Sequence, residues 1–373
     1  MAGALERSFK GPLTGVVVTP YGHSINCKHI QVLEAAHPIP DKNGLVASKA
    51  ISLALKNLTK DDLVIALVCG GGSALLPAPP KDFDIQDEIA LNKVLLSSGL
   101  PISKINLIRK HMSTVKGGKL GVACKPAKLI TLVLSDVPGD ELHQIASGPT
   151  IPDDLTRSDA LSEIALHNLV LPPKIIKHLQ TPEADCPVPQ DLKNLDHEVY
   201  MIGSAYNSLA AAQKLAEKSG VRAIILSDAI EGEAIEIGRM HAAIADQIVS
   251  YNHPFTKPVV LLSGGETTVN LRGFCGRGGR NTEFLLSFVI SLRQPSSVYA
   301  LAADTDGIDG SEENAGALCN PQTLLEIQKK GLNPRELLSS HNAYLAFDAA
   351  ESLLFTGSTG TNVNDFRAIF ISE

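Results

Sequence analysis

The chain has 373 residues, with 33 Lys and Arg against 40 Asp and Glu, a formal net charge of −7 and 44% hydrophobic residues. Such apolar content excludes a disordered chain, and the acidic balance excludes the broad basic face of a nucleic-acid binder. No run of about 20 apolar residues is present, so no membrane span is expected, and the length suits two domains of roughly 100–200 residues each.

The first strand expected is GVVVT at 15–19, and LVIALV at 63–68 is a stronger one that opens into Gly70-Gly71-Gly72-Ser73. IQDEIALNKVLLSSG (85–99) has helical spacing with a glycine stop at Gly99, and KLITLVLS (128–135) is a strand ending at Asp136. TPEADCPVPQDLKN (181–194) is rich in proline and polar residues, which predicts a linker or long surface loop near a domain junction. Further strands are predicted at 199–203, 222–227, 259–263 and 298–303, with helices over 207–220 and 231–250. Strand runs without polar alternation belong to sheets covered on both faces, so the alternation of strand and helix predicts an α/β protein.

The N-terminal MAGALERSFKGPLTG carries charges where a secretory leader needs an apolar stretch, so a cytoplasmic protein is expected. Cys27, Cys69, Cys124, Cys186, Cys275 and Cys319 are scattered without a CxxC pair, which fits reduced thiols better than a disulfide framework or a zinc site. Trp is absent and aromatics are 4%, which disfavours stacking platforms.

Glycine clusters directly after apolar runs mark the expected chemistry. At Gly70, Gly71, Gly72 and Ser73, backbone N–H groups can approach an anion, although a plain strand-to-helix turn has the same signature. Arg109, Lys110, His111, Lys116 and Lys119 concentrate positive charge beside Gly117-Gly118, which suits an anionic ligand; a solvated helix face is the alternative. Asp136 and Asp140 follow a buried strand, and Ser147-Gly148-Pro149-Thr150 adds hydroxyls and a tight turn. In the second half, Gly264, Gly265 and Glu266 leave a strand, and Arg277 and Arg280 lie on a glycine-rich turn where a guanidinium can neutralise a transferring phosphoryl group. Asp304, Asp306 and Asp309 follow another strand and suit Mg²⁺ or a hydroxyl better than a calcium loop, for which the distal glutamate is missing. Finally Thr359, Thr361 and Asn362 belong to a hydroxyl- and amide-rich loop that suits phosphate or a carboxylate. Anion-suited glycine turns and acidic turns in both halves fit a cleft that handles phosphates and a metal.

In order, GVVVTPYGH, EAAHPIPD, GGGSALLPAP, INLIRKHMSTVKGGKL, SDVPGDELHQIASGPTIPD, SGGETTVN, GRGGRNTEF, TDGIDG and TGSTGTNVND resemble the class II glycerate kinase family, whose C-terminal region is called MOFRL. The resemblance implies two α/β domains with the active site in the cleft between them: a Rossmann-like first domain with a mostly parallel sheet (1–190), and a smaller mixed α/β second domain (195–373, MOFRL about 255–370). It implies phosphorylation of D-glycerate, usually to 2-phosphoglycerate, with ATP and Mg²⁺, and it allows a homodimer. Similar proteins also carry the name hydroxypyruvate reductase, which makes a nicotinamide-dependent reductase the alternative.

On that footing Arg280, Asp306 and Asp136 are the expected catalytic residues, and Asp306 and Asp309 the expected metal contacts. The anion site is expected to be lined by Gly70 to Ser73, Lys116, Gly264, Gly265, Glu266, Thr359, Thr361 and Asn362, with Arg109 and His111 on the substrate. Similar proteins have an additional N-terminal segment with a helix, a strand and a Gly-Lys-Ala turn whose lysine is thought to be catalytic. That lysine has no counterpart here, and Lys10 lies beyond the matching helix. The expectation is either a crippled or ligand-binding chain, with an open sheet edge where the strand would lie, or a mis-called or partial start with the Gly-Lys-Ala segment encoded upstream.

Overall fold

The computed structural model describes residues 1–271 and 276–373, so Cys275 lies outside the described residues. The described residues form two compact units, Met1–Leu134 with Glu141–Ile202, and Ser135–Asp140 with Gly203–Glu373. Both are α/β.

The first unit begins with α1 (Ala2–Ser8), β1 (Gly15–Pro20), β2 (Ile30–Ala35), α2 (Lys42–Ala54) and β3 (Leu63–Val68). It continues through α3 (Gly72–Leu75), α4 (Ile85–Ser97), α5 (Ile102–His111), α6 (Lys119–Ala123), β4 (Lys128–Leu134), α7 (Arg157–Leu166), α8 (Pro173–Leu179) and β5 (His197–Gly203). The start of α4 is fixed by a reciprocal cap. Asp84 accepts the Gln86 and Asp87 amides at 2.8 and 3.1 Å, while Asp87 accepts the Asp84 amide at 3.0 Å. Instead of one mostly parallel sheet there are two small ones: β1 pairs with β2 in parallel, and the other runs in the order β3-β4-β5, with β3 and β4 parallel. Helices α4, α5, α7 and α8 share a core in which Leu95, Ile108, Ile175 and Leu179 are fully buried.

The stretch 181–194 is not a linker. It forms short 3₁₀ turns at Pro182–Ala184 and Pro189–Leu192. Ala184 is buried with the α5 core, and Leu192 packs on Cys124 and Leu129. Its polar residues face outward, while its few apolar ones anchor it to the first unit.

The second unit contains α9 (Ala205–Lys218), β6 (Arg222–Glu233), α10 (Ala234–Tyr251), β7 (Val259–Thr268), α11 (Arg280–Ser291) and β8 (Val298–Asp304). It closes with β9 (Gly316–Cys319), α12 (Thr323–Lys329), α13 (Pro334–Ser339), α14 (Ala343–Ala349), β10 (Leu353–Leu354) and β11 (Asp365–Ile371). The six strands run β10-β9-β8-β11-β7-β6; β6 and β7 are parallel and the other pairings antiparallel. The helix expected from 231 starts at Ala234, because β6 stays paired with β7 as far as Glu233 opposite Thr268. Phe284 and Phe288 of α11 and Phe347 of α14 are fully buried under the sheet. Truncating any one of them to alanine is expected to cost about 3–5 kcal/mol.

Candidate active site residues in each unit

In the first unit the polar residues gather where β3 ends. Among the described residues, none of the amides from Gly70 to Ser73 donates to a backbone carbonyl, and Gly71 has φ +76°. These are the donors an anion-binding turn requires. A Cβ at Gly72 would lie 2.5 Å from the Ala146 Cβ, so glycine lets the turn approach the segment 146–148. There Ala146 and Ser147 hold left-handed φ values of 52° and 60°. Two such residues in succession cost roughly 1–2 kcal/mol each, and local strain of this kind clusters at ligand sites. The Ser73 and Ser147 hydroxyls lie 2.7 Å apart, and Ser147 donates to Asn106 Oδ1 at 3.0 Å.

Arg109 follows one turn later on α5. Its Nε donates to Asn92 Oδ1 at 2.6 Å, with a weaker 3.5 Å contact from one terminal nitrogen to Asn106 Oδ1. Among the described residues no carboxylate comes within ion-pair distance of Arg109. Burial lowers its pKa, partly opposed by the charge of Glu88. A half-buried guanidinium held only by amides retains a charge that a carboxylate or phosphate ligand can satisfy.

The neighbouring basic residues have other roles. His111 is buried; its Nδ1 lies 2.7 Å from the Ala184 carbonyl, and burial pushes its pKa down to about 4. It is a neutral packing histidine, not a substrate contact. Lys116 is also buried, donates to the Leu76 carbonyl at 2.9 Å and pairs with Glu88 at 3.3 Å, so its charge is spent inside the protein. The Gly117-Gly118 pair serves backbone packing, since their amides donate to the Ser147 and Gly148 carbonyls at 3.0 and 2.7 Å.

In the second unit the centre is Arg280, the first residue of α11. Its terminal nitrogens donate to Glu266 at 3.0 Å and Asp304 at 2.7 Å, and its Nε faces Asp365 at 2.8 Å. Burial alone would lower its pKa, but Asp365, Asp304 and Glu266 raise it above the ordinary value. The expected phosphoryl clamp therefore has its charge already compensated. Behind it Asp365 is fully buried; it accepts the Thr267 amide and hydroxyl, both at 3.0 Å, and pairs with the buried Arg367, which lies over the Phe284 ring. Burial, opposed by Arg280, pushes the Asp304 carboxyl up.

Asp309 does not form the expected metal pair with Asp306. It is fully buried and accepts the Asn281 amide at 2.9 Å and the Thr282 amide and hydroxyl, both at 2.8 Å. It thus caps the start of α11 from a distance. Asp306 accepts the Ile308 amide at 2.8 Å. Among the described residues no group of three His, Cys, Asp or Glu side chains is arranged to hold a metal ion. Gly264 and Gly265 lie inside β7, not in a turn after it, and a Cβ at Gly265 would overlap the Ile230 backbone of β6. Thr359 is used within the protein: its hydroxyl donates to the Thr305 carbonyl at 2.6 Å, and its amide to the Asp306 carbonyl at 3.0 Å. Thr361 remains exposed, and Asn362 accepts the Asn364 amide at 2.8 Å.

Asp136 also belongs to this unit, and Asn364 donates to its backbone carbonyl. Burial, reinforced by the charge of Glu266, pushes the Asp136 carboxyl up to about 6, a value suited to accepting a proton near neutrality. A cavity of about 530 Å³ opens beside Arg280, lined among others by Thr267, Gly278, Gly279, Glu283, Asp304 and His341. His341 pairs with Glu283 at 2.9 Å on its wall. Among the described residues no helix is long and apolar enough to cross a membrane.

Two α/β units, the first with a glycine-rich turn at the end of β3 and a guanidinium held only by amides, place the chain among α/β enzymes. Residues 1–180 match a family described as a domain of unknown function (DUF4147), and residues 259–365 match the MOFRL family. An Agrobacterium vitis protein provisionally named a hydroxypyruvate reductase is 45% identical over the whole chain and 84% of its own length. The glycerate 2-kinase of Pyrococcus horikoshii is 39% identical, over 96% of this chain and 82% of its own. The crystal structure of a Thermotoga maritima glycerate kinase superposes with a TM-score of 0.87 at 36% identity, covering 96% of this chain and 85% of that one. The chain belongs to the MOFRL-containing glycerate kinase family.

Proposed function

We propose that the protein phosphorylates D-glycerate with ATP to give 2-phosphoglycerate. The observation that supports this most is Arg109, a half-buried cation without a carboxylate partner among the described residues, linked through Asn106 and Ser147 to Ser73. Arg109 receives the glycerate carboxylate, and the amides of Gly70 to Ser73 receive phosphate oxygens. In the transfer the glycerate hydroxyl oxygen bonds to the γ-phosphorus as the bond to the leaving ADP oxygen breaks. The hydroxyl proton leaves to solvent water. Arg280 holds Asp304 and Glu266 in place and does not touch the transferring group. With both Asp309 oxygens engaged and no group of three His, Cys, Asp or Glu side chains among the described residues arranged to hold a metal ion, the reading takes Mg²⁺ as the counter-ion carried by the nucleotide.

The test is a coupled assay of ADP release with D-glycerate, and phosphorus NMR of the product. Glycerate-dependent ADP release with a 2-phosphate product supports the reading; no release by a chain that unfolds cooperatively contradicts it. The name carried by the Agrobacterium vitis relative favours a second reading, reduction of hydroxypyruvate with a nicotinamide. The glycine turn is GGGSAL, not GxGxxG, which counts against it. Oxidation of NADH on addition of hydroxypyruvate distinguishes the two.

A further inference from the structure

The Arg109 guanidinium is aimed chiefly by Asn92. This residue lies on α4, is only 7% exposed, and has both ends of its amide in use. Its Nδ2 donates to the Glu88 carbonyl one turn back at 2.9 Å, which leaves Oδ1 to accept Arg109 Nε at 2.6 Å. A flipped amide would set donor against donor and lose both bonds. Asn106, one turn before Arg109 on α5, is otherwise engaged. Its Oδ1 accepts the Ser147 hydroxyl at 3.0 Å and its Nδ2 donates to the Gln144 carbonyl at 3.2 Å, with the guanidinium 3.5 Å away.

Nε belongs to the side-on edge of the guanidinium, and Asn92 closes that edge. The end-on edge, made of the two terminal nitrogens, stays open. One of them has the 3.5 Å contact to Asn106, and the other has no hydrogen bond among the described residues. Such an edge takes the two oxygens of a carboxylate side by side.

The charge is left open as well. Glu88 stands on the same helix one turn before Asn92, and its charge reaches Arg109. Yet its Oε1 pairs with Lys116 at 3.3 Å, and its buried Oε2 has no hydrogen-bond partner among the described residues. The buried carboxylate is taken by Lys116, so Glu88, Lys116 and Arg109 together leave one positive charge over. Asparagine and aspartate have the same shape. A carboxylate at position 92 would fit the same contact and cancel that charge.

We propose that Asn92 is the positioning residue that makes this site selective for a carboxylate: its neutral amide fixes Arg109 end-on toward the substrate without answering its charge. The inference rests on the reading of Arg109 as the group that receives D-glycerate. It adds the substrate class: small hydroxy acids with a free carboxylate are admitted, and their uncharged amides are refused.

The test is calorimetric titration of D-glycerate, and of its uncharged amide D-glyceramide, into the full chain as wild type, Arg109→Gln, Asn92→Asp and Asn92→Ala, with urea unfolding of each. Asn92→Asp is expected to unfold near the wild-type midpoint, because the new carboxylate has Arg109 as its partner. It is nonetheless expected to bind D-glycerate about 10–100-fold more weakly, and its preference for the acid over the amide falls by a similar factor. A residue that only held the fold would lose stability and binding together. Asn92→Ala keeps the charge but frees the guanidinium, so binding about 3–10-fold weaker is expected, with the preference for the acid retained. If Arg109→Gln binds D-glycerate as tightly as wild type, the reading of Arg109 has failed and the proposal falls with it. If Arg109→Gln loses binding while Asn92→Asp stays within about threefold of wild type, or weakens acid and amide equally, the proposal alone is overturned. Should Asn92→Asp not fold, Asn92→Ala decides: wild-type affinity, or a lost preference for the acid, overturns the proposal.

Discussion

Two arginines, one in each unit, sit in opposite electrostatic situations. Arg280 faces three carboxylates within 3.0 Å, while Arg109 is held by two asparagine side chains. The first guanidinium organises its neighbours, since its charge is fully answered inside the protein. The second keeps a charge to offer. Proximity to glycine-rich turns, which both arginines share, does not distinguish them; their partners do. On the proposed reading the binding cation is Arg109 and the structural one Arg280.

The largest expected effect comes from opening the Arg280 cluster from behind. Asp365→Ala leaves Arg367 buried without its carboxylate and is expected to destabilise the chain by about 3–5 kcal/mol, measured by urea unfolding. Arg280→Ala is expected to lower stability by less, because Asp365 keeps Arg367 and the Thr267 hydrogen bonds, and Glu266 is 46% exposed. A stability equal to wild type in both variants breaks the comparison.

Arg109→Ala is expected to act on binding. Loss of a charge-assisted contact of about 1.5–3 kcal/mol raises KM for D-glycerate about 10–100-fold, with the unfolding midpoint little changed. Titration of Asp136 sharpens the account further. Burial raises the Asp136 pKa to about 6 from the ordinary carboxylate value, so the folded state binds the extra proton and stability declines as pH rises from about 4 to about 6. Ser73→Ala is the mildest change, with a loss of about 0.5–1.5 kcal/mol in binding, seen as a roughly 2–10-fold higher KM.

The apolar strands were legible because an uninterrupted run such as LVIALV has few alternatives, and helix α4 carried its own cap and stop at Asp84 and Gly99. Strand β2 was missed because IQVLEA is short and broken by Gln31 and Glu34. Glycine pairs were ambiguous, since the same residue serves an anion turn at Gly71, a backbone zip at Gly118 and a close strand pairing at Gly265. Asp309 looked like a ligand because nothing local shows that its oxygens are taken by amides 27 and 28 positions earlier. Asp365 and Arg367 were invisible as a pair with Thr267 for the same reason: their contacts span about a hundred residues. The partners that separate Arg109 from Arg280 belong to tertiary packing, which spacing alone does not encode.

The most direct test is calorimetric titration of D-glycerate into wild type, Arg109→Gln and Arg280→Gln, with circular dichroism confirming that each is folded. The account predicts that binding is lost in Arg109→Gln and kept in Arg280→Gln. Binding kept in Arg109→Gln and lost in a folded Arg280→Gln would contradict it.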